Sequence, residues 1–122
     1  MFAFNPLLNS DYIREMYGDD LTIVQIMFES FLEDNIPIWE RVIDELNNKN
    51  FKEVGQMVHQ IKPTFSMVGL TFLHPKIQDF ELSAKTNQDE KMLLAKYENL
   101  AIEINHAKLV IIDDLKRLKQ LV

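Results

Sequence analysis

The residues best equipped for chemistry lie together near the middle of this 122-residue chain. His59 and Lys62 are three apart, so on a helix an imidazole and an ammonium share a face and reach the same ligand. Between Phe51 and Val68 two stripes run at helical spacing. Phe51, Val54, Val58, Ile61, Phe65 and Val68 are apolar and read as a core face. Beside them Gly55, His59, Lys62, Ser66 and Gly69 are small or polar throughout. A mid-helix glycine costs about 1 kcal/mol relative to alanine. Gly55 therefore implies either close packing by another helix or close approach of a ligand one turn before His59. A neutral imidazole carries a nitrogen lone pair that can attack phosphorus. Phosphoryl transfer asks mainly for positioning and for neutralisation of the equatorial oxygens. Lys62 would supply that charge, and Ser66 a hydrogen bond. The plainer alternative is a solvated helix face.

Other chemistries find less support. With no cysteine there is no disulfide framework, thiol nucleophile or thiolate metal site. Gly18, Gly55 and Gly69 lie too far apart for a phosphate-cradling loop, which with the short chain excludes an ATP-using kinase. Glu103 and His106 form a single Glu-x-x-His pair, whereas carboxylate-bridged di-iron bundles use two. His74 and His106 read as surface or cap residues, and neither a metal nor another cofactor is expected. The formal net charge of -6 argues against nucleic acid or an anionic membrane as partner. No apolar run approaches the roughly 20 residues of a membrane helix. Met1 to Leu8 lacks a basic flank and is broken by Asn5 and Pro6, unlike a signal peptide. A soluble, cytoplasmic protein is expected.

The elements that must position His59 are helices. Only three glycines and four prolines leave little room for many short strands. The pattern predicts a short helix from Ser10 to Tyr17, stopped by Gly18. A second follows Asp19 and Asp20, either of which can cap it. Its stripe is Leu21, Val24, Phe28, Phe31, Ile38, Val42 and Leu46, in phase across Pro37, which predicts a kink there. Asn50 and Glu53 have the spacing of a capping box opening the site helix, and Gly69 suits its close. The site helix itself is expected to bend over His59 to Pro63 and to continue to about Val68. A fourth helix starts at Thr71 or His74, with face Leu73, Ile77, Phe80 and Ala84. Asn87 to Glu90 repeats the capping pattern before a long fifth helix. Its stripe is Leu93, Tyr97, Leu100, Ile104, Ala107, Ile111, Leu115, Leu118 and Val122. The expected architecture is all-α: residues 1–122 form one domain, an antiparallel up-down four-helix bundle with a short extra N-terminal helix.

The run from His59 to Gly69 (HQIKPTFSMVG) resembles the signature of histidine phosphotransfer (HPt) domains. That signature is a His, an aliphatic residue two later, a Lys three later, small residues, and a Gly ten later. The Pro-interrupted helix before the site, the Asn50-Phe51 start and the Ile77–Lys85 rhythm extend the likeness over most of the chain. The resemblance implies a cytoplasmic, monomeric carrier that relays phosphoryl groups between receiver-domain aspartates in two-component phosphorelays. Its partners would be receiver domains of a hybrid histidine kinase, a response regulator or both, with no nucleic acid and no membrane. By position His59 becomes the phosphoacceptor, through its outer ring nitrogen, and Lys62 the stabilising cation. Gly55, Gln56, Pro63, Ser66 and Gly69 become partner-facing positions. The family usually has Gly where this chain has Pro63, and a small residue where it has Thr64-Phe65. The alternative is a bundle that binds a receiver without accepting phosphate.

Overall fold

A computed structural model describes residues 2–86 and 89–121, and every regular element in them is helical. In chain order these are α1 (Ser10–Tyr17), α2 (Leu21–Ser30), a π turn (Phe31–Asn35), α3 (Ile36–Asn47), α4 (Phe51–Met67), a 3-10 turn (Thr71–Leu73), α5 (His74–Thr86) and α6 (Glu90–Leu121). The starts of α1, α2 and α6 follow from side-chain caps. Asn9 accepts from the Tyr12 amide, and Asp20 from that of Ile23. Asp89 accepts from the amides of Lys91 and Met92 at the start of α6. Asn87 and Val122 lie outside the described residues.

The expected kink at Pro37 takes a different form. The turn before it is π-helical, and the Ile36 amide bonds the Phe31 carbonyl five residues back. One extra residue in a turn rotates everything after it. Ile36 and Trp39 therefore face the core, while Ile38 is only half-buried, so the stripe does not stay in phase. Pro37 itself falls in the first turn of α3, where its missing amide hydrogen costs nothing.

At the head of α4 the capping box does not form. The Asn50 side-chain amide instead donates to Glu45 Oε2 at 2.8 Å, across the α3–α4 turn. The close is as expected. Gly69, at φ +87°, donates to the Ser66 carbonyl and Leu70 to that of Phe65, the two bonds of a Schellman cap. Helix α4 runs through Pro63 to Met67. An interior proline costs about 3 kcal/mol. Val58, Ile61 and Phe65, all fully buried around it, contribute about 1.5–3 kcal/mol each, so the core stripe outweighs the proline.

Helix α4 packs chiefly on α5 and α3, and α6 lies against α2, α3 and α5. Aromatic rings bind these layers: Phe31 meets Phe65 edge-on at 5.0 Å, and Trp39 stacks on Tyr97 at 5.0 Å. The fourth-helix face is buried as expected, and so is the long stripe of α6 apart from half-buried Tyr97. Val110 and Asp114 join that face unannounced. Buried Asp114 accepts from the Asn5 amide and from Arg117, each at 2.8 Å, which ties the N-terminal arm to α6. Among the described residues no helix is long and apolar enough to cross a membrane.

Candidate functional site

Two helices build the site. Helix α4 supplies His59 and Lys62, and α5 supplies Glu81 and Lys85. The apolar stripe of α4 faces inward, so Val58 and Ile61 are fully buried while the His59 side chain between them is 66% exposed. This is the two-stripe pattern in three dimensions.

Glu81 holds the cluster together. Its side chain is 8% exposed, although it carries a carboxylate. His59 Nδ1 lies 2.8 Å from Glu81 Oε2. Lys85 Nζ donates to the same oxygen at 2.7 Å, from one turn further along α5. Lys62 Nζ approaches the other oxygen, Oε1, at 2.8 Å, as an ion pair and not along a well-directed hydrogen bond. Burial pushes the Glu81 carboxyl up. Contacts with Lys62, Lys85 and His59 outweigh burial and hold it down at about 2. Glu81 is thus ionised at neutral pH, and an ionised carboxylate only accepts. Nδ1 must then carry the hydrogen it donates, which in the neutral ring leaves Nε2 as a bare lone pair on the side away from Glu81.

The remaining expected site residues divide into two groups. Gln56 and Pro63 are exposed and share the face of His59 at helical spacing. Gly55 and Gly69 are buried, so neither presents a surface to a partner. A Cβ at position 55 would lie 2.8 Å from Lys85 Cγ, so Gly55 is a slot for the Lys85 stem. The packing explanation of this glycine is the one the structure shows. A Cβ on Gly69 would lie 2.7 Å from Ile13 Cδ1, and its positive φ serves the cap. Ser66 is half-buried, and among the described residues no hydrogen bond links it to His59, Lys62, Glu81 or Lys85. The exposed stripe is therefore Gln56–His59–Pro63 and not Gly55–His59–Ser66–Gly69.

Glu81 and Lys85 were not singled out from the sequence. The available signal was positional: Glu81 is four after Ile77 and three before Ala84, a carboxylate on the apolar rhythm of α5. Beside it a shallow cavity of about 220 Å³ is lined by Lys62, Gln78, Glu81, Leu82 and Lys85, with Leu82 58% exposed at its edge. Elsewhere, Glu103 pairs with Lys76 at 2.6 Å, and among the described residues no three His, Asp or Glu side chains are placed to hold a metal ion.

No family model matches the chain, and neither a curated protein nor a solved structure is significantly similar to it. The functional reading rests on the site.

Proposed function

We propose that this chain is a histidine phosphotransfer protein, a phosphoryl carrier without ATP-dependent kinase activity of its own. Its helices would form an antiparallel up-down four-helix bundle: α2 and α3 joined by the π turn, then α4, α5 and α6, with α1 as the extra N-terminal helix. It would exchange phosphoryl groups with receiver domains of a hybrid kinase or a response regulator, as a monomer in the cytoplasm. The observation that carries the reading is the exposed imidazole of His59, tied through Nδ1 to a buried carboxylate that two lysines offset.

The reaction would proceed in one displacement. The Nε2 lone pair of His59 attacks the phosphorus of an aspartyl phosphate on the receiver. The Nε2–P bond forms as the P–O bond to the aspartate breaks, and the carboxylate leaves with that electron pair. Nδ1 keeps its hydrogen, and the positive charge arising on the ring is met by Glu81 Oε2 at 2.8 Å. Lys62 and Lys85, both in contact with Glu81, are the ammonium groups that would turn to the phosphoryl oxygens. The return step reverses each bond.

Incubation with a phosphorylated receiver domain tests this. The expected product is an acid-labile, base-stable adduct on His59, absent from His59→Gln, whose far-ultraviolet helical signal stays intact. Labelling that persists in His59→Gln at His74 or His106 refutes the assignment.

One observation favours a second reading. Lys62 is only 16% exposed and already committed to Glu81. A bundle that docks a receiver without accepting phosphate needs no free cation. Receiver binding unchanged by His59→Gln, with no adduct in either protein, selects that alternative.

A further inference from the structure

We infer that Lys85, seated in the slot left by Gly55, is a positioning residue for the nucleophile: it offsets Glu81 so that this carboxylate fixes the tautomer of His59 without holding the ring doubly protonated. The inference deepens the phosphotransfer reading, and rests on it only for the consequence to reactivity.

The site must meet two conflicting demands. A carboxylate in contact with an imidazole orients it, but an unneutralised carboxylate also favours the imidazolium, in which both nitrogens carry hydrogen and no lone pair remains. A nucleophilic histidine needs the orientation without the second proton. Glu81 meets the requirement only if other cations take up its charge. Lys62 does so at Oε1. Lys85 does so at Oε2, the very oxygen that receives His59 Nδ1, so its ammonium competes with the imidazole for the same lone pairs. Nζ and Nδ1 are separated by no more than the sum of two hydrogen-bond lengths. At that range a positive charge raises the energy of a second proton on the ring.

Gly55 is what allows this approach. With a side chain there, its Cβ would lie 2.8 Å from Cγ and 3.3 Å from Cε of Lys85, and the stem would have to leave. The obstruction falls on a side chain and not on backbone, so an added methyl group displaces the Lys85 stem by turning it about its Cα–Cβ bond. The groups bearing on the imidazole are Glu81 and Lys85 from α5 and Lys62 from α4. Among the described residues no charged group of α2, the π turn or α3 bonds or ion-pairs with His59.

Three variants test the inference: Lys85→Met, which keeps the stem and removes the charge; Gly55→Ala, which keeps the charge and displaces it; and Lys85→Arg, which keeps both. The first measurement is independent of function. Nitrogen-15 shifts of the His59 ring at pH 7 report a hydrogen on Nδ1 and a bare Nε2 in the parent protein. The ratio of doubly to singly protonated ring should rise in Lys85→Met and in Gly55→Ala and stay near the parent value in Lys85→Arg. The second measurement is phosphorylation of His59 by phosphoramidate, in which the Nε2–P bond forms and the P–N bond to departing ammonia breaks. Its rate at pH 7 should fall by up to about tenfold in the same two variants, and at higher pH the loss should shrink to whatever the Lys85 ammonium contributes at the phosphoryl oxygens. Unchanged ring shifts in Lys85→Met and Gly55→Ala overturn the inference. Altered shifts with no phosphorylation of the parent protein uphold it and refute the phosphotransfer reading instead.

Discussion

Glu81 offers a quantitative test of the site through acid stability. Its carboxyl is held at about 2 against an ordinary 4.5, because Lys62, Lys85 and His59 together overcome the upward push of burial. A carboxyl lowered on folding stabilises the native state above its unfolded value and loses that contribution as pH falls towards its folded value. The window here runs from about pH 5 down to pH 2. At 1.36 kcal/mol for each unit, the contribution is at most about 3 kcal/mol above pH 5, with more than half of it gone by pH 3. The perturbation is Glu81→Gln, which keeps the shape and removes the charge. Urea unfolding of both proteins at pH 6 and at pH 2.5 yields a difference of differences, from which every other carboxylate cancels. The parent should lead the variant by more at pH 6 than at pH 2.5, by about 2 kcal/mol. A gap that does not depend on pH would show that the lysines and His59 do not stabilise the ionised Glu81, and the electrostatic account of the site would fall.

Three further outcomes follow from the same geometry. Lys62→Ala should shorten the lifetime of any His59 adduct and also lower stability by about 1–3 kcal/mol, since it strips a partner from a buried carboxylate; an unchanged urea midpoint would mean that Lys62 belongs to a solvated face. Gly69→Ala should cost at least about 1–2 kcal/mol in thermal unfolding, because it adds a Cβ 2.7 Å from Ile13 Cδ1 at a positive φ; no loss would place the α4 cap elsewhere. Pro63→Gly trades one poor helix former for a better one and leaves the buried stripe untouched; phosphoryl acceptance from phosphoramidate should stay within roughly tenfold, about 1.4 kcal/mol in barrier terms, and a greater loss would make Pro63 part of the chemistry.

Much of this was legible in the residues because periodicity reports burial directly. The face Leu73–Ile77–Phe80–Ala84 and the inner stripe of α4 are buried as their spacing requires. The π turn was not legible. Isoleucine stands at both 36 and 38, so either residue satisfies an apolar stripe, and the one-residue slip leaves no compositional mark. The capping box failed because Asn50 had a competitor: Glu45, in the last turn of α3, takes its side-chain amide. At the site, His59 and Lys62 share a helix and their spacing announced them. Glu81 and Lys85 reach them across the α4–α5 interface, which no local pattern encodes. Gly55 raised the right question. Its answer, a lysine stem from another helix, required the packing.

That packing also bears on how a carrier differs from a trap. One buried carboxylate and two ammonium groups leave the cluster with a single excess positive charge, in a chain whose formal net charge is -6. A phosphoryl group on His59 would bring in a charge of about -1.5 to -2, comparable with other phosphorylated side chains. Among the described residues, Lys62 and Lys85 are the cations in contact with Glu81, so either ammonium that turns to the phosphoryl must loosen its hold on the carboxylate. The two anions would compete for the same two lysines. Stabilisation of the adduct is therefore partly offset by destabilisation of Glu81, and the more deeply a lysine is buried the larger that offset becomes. Lys62 is the more buried of the pair and should be the costlier to move; Lys85, 43% exposed on a flexible stem, should be the one that responds. On the proposed reading, an adduct held this loosely would retain its transfer potential in both directions. A site with two lysines and no Glu81 would bind the phosphoryl more tightly and release it more slowly, which suits a store of phosphate and not a relay.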